Sequence, residues 1–171
     1  MSVTATDSRH WTLLDPDHAV DHIDRLFRAA WALCGSRHDA EDLVQETYAR
    51  VLAKPRLLRG SDDLGYLLRA LRNTYLVRMR TEQRRPRTEP FAEGFEPVGG
   101  RTPEAALEVR EVFAAISTLT PDFRDVLVAV DVAGLSYEEA AHAFRIPLGT
   151  VMSRLYRARQ QIARTLTEAS A

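Results

Sequence analysis

Apolar residues return along this chain every three or four positions, in one stretch after another. The first stretch is Ala19, Ile23, Leu26, Phe27, Ala30, Trp31 and Cys34, a helical period. Asp15-Pro16 ahead of it reads as an N-cap followed by proline at the first helical position. Gly35 is placed to end that helix. Ser36 with Asp39 resembles a capping box, and a second helix follows with Ala40, Leu43, Val44, Tyr48, Val51 and Leu52 on its apolar face. Pro55 stops it. Lys54 to Asp63 reads as a loop, basic and then acidic. A third helix is predicted over about 64–81, with Leu67, Leu68, Leu71 and Leu76 as core candidates.

The period is lost between Gln83 and Thr102, which hold Pro86, Pro90, Pro97, Gly94, Gly99 and Gly100. A stretch this long and this broken marks a domain boundary. Thr102-Pro103 and Thr120-Pro121 then open a fourth helix (Leu107, Val109, Val112, Phe113, Ile116) and a fifth (Phe123, Val126, Leu127, Val130), which Gly134 ends. Ser136 with Glu139 fits S-x-x-E and starts a short helix. Pro147 cannot continue that helix and suits the start of another. The last helix buries Val151, Leu155, Ala158, Ile162 and Leu166. No strand or internal repeat is predicted. The expected fold is all-α: two small helical domains joined by a flexible linker, the C-terminal one a helix-turn-helix. The expected boundaries are a loose N-terminal arm over 1–14, a first domain over 15–82, an acidic linker over 83–102 and a second domain over 103–171.

Charge changes the picture once it is located. The net charge over 171 residues is −1, and the hydrophobic fraction of 45% argues against global disorder. From Arg69 to Arg87, however, there are seven arginines and one acid, and from Arg145 to Arg164 five arginines and none. From Met1 to Glu46 there are nine acids and four arginines. Two basic blocks behind an acidic front predict one surface for nucleic acid and another for protein. A short capped helix, a turn and a basic helix are the parts of a helix-turn-helix DNA reader. Its first turns would present Thr150, Ser153, Arg154 and Arg157 to base edges, with Tyr156 near a thymine methyl or a sugar. Arg159 and Arg164 lie nearer phosphate or solvent. On helix three, Arg69, Arg72, Arg78 and Arg80 recur with Asn73 among them, which suits a single strand held by its phosphates.

Other chemistry is thin. The lone Cys34 excludes an intramolecular disulfide and a cysteine-based zinc finger, and it reads as a buried thiol. His18 and His22 lack a third convergent ligand, so no metal and no cofactor is expected. No nucleophile motif, phosphate loop or catalytic carboxylate pair is present, so an enzyme is not expected. No apolar run reaches transmembrane length, and no signal-peptide pattern opens the chain, so membrane insertion is not expected and the expected location is cytoplasmic.

Three motifs in order carry a resemblance. Leu119-Thr120-Pro121-Asp122-Phe123-Arg124-Asp125-Val126-Leu127, Gly134 to Ala141 and Ile146 to Leu155 resemble the C-terminal, minus-thirty-five-reading domain of an extracytoplasmic-function (ECF) RNA polymerase sigma factor. Asp39 to Tyr48 resembles that family's polymerase-binding helix. Arg69 to Pro86 resembles its minus-ten segment. The resemblance implies core RNA polymerase, promoter DNA and an anti-sigma factor as partners. It implies that Thr150, Ser153, Arg154, Tyr156 and Arg157 meet the minus-thirty-five duplex. It implies that Leu58, Arg59, Arg69, Arg72, Asn73 and Arg80 meet the melted minus-ten strand, with Asn73 and the loop Leu57 to Ser61 forming a pocket for a flipped base. Asp42, Gln45 and Glu46 would meet the polymerase, although periodicity alone reads them as a solvated face. Tyr66 reads as core packing. Met152 stands where the family often has a basic residue. The rival reading is a helix-turn-helix regulator that acts without being a polymerase subunit.

Overall fold

The Oγ of Ser36 accepts a hydrogen bond from the Asp39 backbone N–H at 3.1 Å, and that of Ser136 accepts one from Glu139 at 3.1 Å. The Ser136 N–H donates to the Glu139 carboxylate at 2.7 Å, which completes the reciprocal capping box. These caps start two of the helices in a computed structural model that describes residues 11–54, 57–59, 63–82 and 103–169. The helices are α1 (Pro16–Val20), α2 (Ile23–Cys34), α3 (Arg37–Ala53), α4 (Asp63–Glu82), α5 (Pro103–Thr118), α6 (Pro121–Leu127), α7 (Tyr137–Phe144) and α8 (Leu148–Ala169). Proline opens α1, α5 and α6, as its fixed φ and missing N–H favour. The expected linker lies outside the described residues.

The first apolar stretch forms two helices where one is expected. The chain turns at Asp21 and His22, where the His22 N–H donates to the Ala19 carbonyl at 3.2 Å. The break leaves Ile23 exposed and buries Ala19, whose carbonyl accepts from the Tyr48 hydroxyl at 2.6 Å. The arm is also not loose throughout. Trp11–Leu13 forms a strand, β1, antiparallel to Leu57–Arg59, β2, with Thr12 opposite Leu58. Two three-residue strands are too short to show alternation, so no periodic pattern betrays them.

α2, α3 and α4 pack together in the N-terminal half, and α6, α7 and α8 in the C-terminal half. Val151, Leu155 and Ala158 form the buried stripe of α8, while Ile162 packs at its edge. On α5, Leu107 and Val112 are exposed against expectation, and Ala115 joins Ile116 in the core. The halves are not held apart. Leu33, Leu68 and Leu71 of one meet Val128, Ala129 and Phe144 of the other around a small void, and the buried residues of both make one continuous cluster. Trp31 stacks on Phe113 across the boundary, with ring centroids 6.0 Å apart.

Between α6 and α7 the helix widens into one turn of π-helix, Val128–Val132. The Ala133 N–H reaches the Val128 carbonyl at 2.9 Å, one residue further back than an α-helix allows. Gly134 follows at φ +77°, a left-handed conformation that glycine adopts at little cost.

Candidate nucleic-acid interface

α8 carries its buried stripe on one side, so its first turns offer the opposite side to a partner. Met152, Ser153, Tyr156 and Arg157 are exposed there, Tyr156 by 63%. The Ser153 hydroxyl bonds back to the Thr150 carbonyl at 3.1 Å, and the Tyr156 hydroxyl accepts from the Gln160 amide at 2.7 Å. Thr150 is half-buried at the helix start. Arg154 leans towards α6, and its guanidinium donates to Asp122 at 2.5 Å. Further along, Arg159 makes a two-pronged pair with Asp131, at 2.6 and 2.9 Å. Hydrogen bonding to Asp131 holds the Arg159 guanidinium above its ordinary value. The structure therefore brings all five expected residues to the start of one helix, but only Ser153, Tyr156 and Arg157 face fully outward.

On α4, Arg69 lies over the Tyr66 ring at 5.7 Å, while Asn73 and Arg80 are exposed. Tyr66 is half-buried and packs on the core, as its spacing predicts. Arg69 and Asn73 line a cleft of about 460 Å³ with Arg50 and Lys54 of α3. Phe144 and Arg145, where α7 ends, line its other side. Among the described residues no carboxylate lines this cleft. Leu58 corrects an expectation. It sits at 7% exposure in the core, opposite Thr12 of β1, so its side chain is not available to a flipped base. Of Arg59 the structure describes only the backbone, as the end of β2.

Arg72 leaves this face. Its guanidinium pairs with Asp125 of α6, across the boundary between the halves. Burial holds the Asp125 carboxyl above the usual carboxylate range, against the pull of Arg72 and Arg124. Neighbouring Arg124 donates to the Ser117 and Leu119 carbonyls at 3.1 and 2.9 Å, so it closes the end of α5. On α3, Gln45 is exposed and Asp42 sits 3.6 Å from His38. Glu46 is engaged from two sides, by Arg50 at 2.6 Å and by Arg78 of α4 at 2.7 Å. The acidic face thus reaches solvent through Asp42 and Gln45, with Glu46 fixed behind them.

Two basic helices on separate halves, with an acidic helix beside one of them, have counterparts among known proteins. Residues 19–85 match the family Sigma-70 region 2, and residues 110–162 match Sigma-70, region 4. The ECF RNA polymerase sigma factor EcfG of Rhodopseudomonas palustris is 35% identical over 157 residues, covering 88% of this chain and 83% of the relative. The chain belongs to the ECF RNA polymerase sigma factors. The ECF sigma factor SigE of Mycolicibacterium smegmatis is 37% identical over 147 residues. That match covers 82% of this chain but only 57% of the relative. Among solved structures, the sigma factor RpoE of Bartonella quintana, in complex with the anti-sigma factor NepR, aligns at a TM-score of 0.71 with 25% identity. It covers 88% of this chain and 95% of that one. CnrH, in complex with the cytosolic domain of CnrY, aligns at 0.62 with 22% identity, over 91% of this chain and 88% of that one, and shares the fold.

In this ECF sigma factor, sequence reasoning missed Arg25, Asp125 and Arg145. Arg25 donates from Nε to the Ala133 carbonyl at 2.6 Å and from Nη2 to the Gly134 carbonyl at 2.8 Å. No local pattern marks such a pair, because its partners stand 108 and 109 residues apart. Arg145 did carry a signal. It follows the last apolar residue of α7 and precedes Ile146-Pro147, the position where a left-handed cap is expected. It adopts φ +55°, among the described residues the one non-glycine with positive φ.

Proposed function

We propose that this sigma factor binds core RNA polymerase and directs it to promoters, reading the minus-thirty-five duplex with α8 and the melted minus-ten strand with α4. The observation that carries this reading is the pairing of two separate basic faces, one on each sigma-70 region, in family order. The first domain, 15–82, holds polymerase through Asp42 and Gln45, with Glu46 buttressing them, and the strand through Arg69, Arg72, Asn73 and Arg80. Residues 83–102 serve as the tether. The second domain, 103–171, reads the duplex through Ser153, Tyr156 and Arg157, with Thr150 and Arg154 at the edge of that face. Polymerase fixes the spacing of the two, so modest separate affinities combine through effective concentration.

The protein performs no chemistry of its own in this scheme, since nucleotide addition belongs to the polymerase. Among the described residues no helix is long and apolar enough to cross a membrane, and work on promoters places the protein in the cytoplasm. RpoE, a relative in fold and sequence, is held by an anti-sigma factor, and we infer a protein regulator of that kind here. Run-off transcription with purified core polymerase tests the function. The expected result is promoter-dependent transcript only when this protein is added. Failure to bind core polymerase refutes it, and sequence-specific promoter binding by the free chain alone favours the rival regulator.

A further inference from the structure

Three exposed apolar side chains follow one another at i, i+4 and i+8 at the start of α8. Leu148 is 41% exposed, Met152 53% and Tyr156 63%. Large apolar groups in contact with water are unfavourable, and a row of them on a helix that otherwise buries its apolar stripe marks a surface that meets a partner. Each step advances about 6 Å along the helix axis and about 40° round it, so the row spans about 12 Å. Met152 and Tyr156 stand one residue on from the buried Val151 and Leu155. Ser153 and Arg157, both exposed, lie about 100° further round. The charges nearest the row are drawn off it. Arg159, three residues beyond Tyr156, pairs with Asp131 at 2.6 Å, and Arg154 on the opposite flank pairs with Asp122 at 2.5 Å. The Tyr156 hydroxyl accepts from the Gln160 amide at 2.7 Å, which ties its tip to the next turn.

We propose that Leu148, Met152 and Tyr156 form a specificity-determining row on α8, with Met152 at its centre, and that the row selects thymines in the minus-thirty-five duplex by their C5-methyl groups. The chemistry leaves one base feature that fits. Leucine has no polar atom, and methionine has no donor and only a weak acceptor in its sulfur. In the major groove the thymine methyl is the apolar feature, whereas guanine, adenine and cytosine present acceptors or donors. A purine edge or a cytosine amino group set against Met152 would lose its water without gaining a partner, so the row rejects those bases as well as accepting thymine. Duplex DNA is the occupant that the charge favours. Between Leu148 and Thr167 the chain has four arginines and no acid, the balance that a phosphate backbone calls for. Ser153 and Arg157, beside the row, supply the hydrogen bonds that the row itself cannot make.

The inference rests on the proposed reading of the minus-thirty-five duplex by α8, and its test separates the two. Holoenzyme reconstituted from core polymerase and the full chain selects binding sites from duplexes randomised upstream of a fixed minus-ten element. Each thymine of the selected upstream site is then replaced by uracil, which removes the methyl and nothing else. Loss of one buried methyl is expected to weaken holoenzyme binding about fourfold at the position opposite Met152. In Met152→Ala holoenzyme the same uracil should have no effect, and thymine should lose its enrichment there. Met152→Arg should select guanine at that position, since an arginine fork matches its O6 and N7. Met152 is exposed, so thermal midpoints of both variants should match the wild type. The proposal is overturned if uracil equals thymine at every selected position, or if Met152→Ala selects the same site as the wild type. A Met152→Ala variant that keeps the selected site but assembles less well with core polymerase also overturns it, because the row is then a protein surface. Failure of the sigma function has a different signature: no site is selected and no run-off transcript appears with any form of the chain.

Discussion

The Arg25 grip allows a double-mutant cycle with a predictable size. Gly134 sits at φ +77°, and a Cβ there would lie 3.1 Å from Nη2 of Arg25. Gly134→Ala therefore incurs a left-handed backbone cost of about 1–2 kcal/mol and also displaces the guanidinium. A hydrogen bond to a charged group contributes about 1.5–3 kcal/mol. Arg25 is only half-buried, so solvent reduces each of its two bonds to about 1 kcal/mol. Arg25→Ala should then cost about 2 kcal/mol, and Gly134→Ala about 2.5 kcal/mol if the Nη2 bond is lost with it and the Nε bond to Ala133 stays. In the double variant the grip can be lost only once. The expected total is about 3.5 kcal/mol instead of about 4.5, a coupling of about 1 kcal/mol. Urea denaturation of the wild type, both single variants and the double variant, followed by circular dichroism, measures it. Additivity within about 0.5 kcal/mol would show that the two residues do not act on one another and would refute the reasoning.

Three further outcomes are expected. Ser136→Ala removes the acceptor at the start of α7 and should lower stability by about 1 kcal/mol in the same urea assay, with Ser136→Asp restoring most of it. Leu155→Ala empties a fully buried position on the inner stripe of α8 and should cost about 2–5 kcal/mol, with a lowered thermal midpoint as the readout. Burial pushes the Tyr48 hydroxyl from 10.0 up to about 12. In the unfolded chain the phenol ionises above its ordinary value, while in the fold it stays protonated. Its share of stability is therefore complete below pH 10 and lost between pH 10 and about 12. Denaturation midpoints across that interval should fall in the wild type and fall less in Tyr48→Phe.

Local rules carried the sequence reading a long way. Ser36 and Ser136 announced the caps that start α3 and α7, and the stripe Val151, Leu155, Ala158 announced the inner face of α8. Each of these depends on residues three or four apart, so periodicity can see them. Leu58 could not be placed this way, because its burial depends on a strand contributed by Trp11–Leu13, more than forty residues away. Arg72 was rightly assigned to a basic helix, yet its pairing with Asp125 joins two halves across a stretch without pattern. Arg154 and Glu46 stand out by their charge alone, and a charge on another helix engages each of them, Asp122 of α6 for Arg154 and Arg78 of α4 for Glu46. What escaped is therefore of one kind: contacts between elements, made by surface-type side chains that could equally well have met water.

The π-helical turn at Val128–Val132 amounts to one residue more than a regular helix needs. That surplus acts as an angular setting. Removing a single residue there would let the helix wind regularly and rotate everything after it by about 100°, the step of one α-helical residue. Asp122 and Asp125, which precede the turn, would keep their bearings. Ala133 and Gly134, which follow it, would swing their carbonyls away from Arg25. A one-residue deletion would thus keep α6, α7 and α8 as helices while misaligning α7 and α8 on α6 and on the other half, as a key cut one notch out still fits its blade but no longer turns the lock.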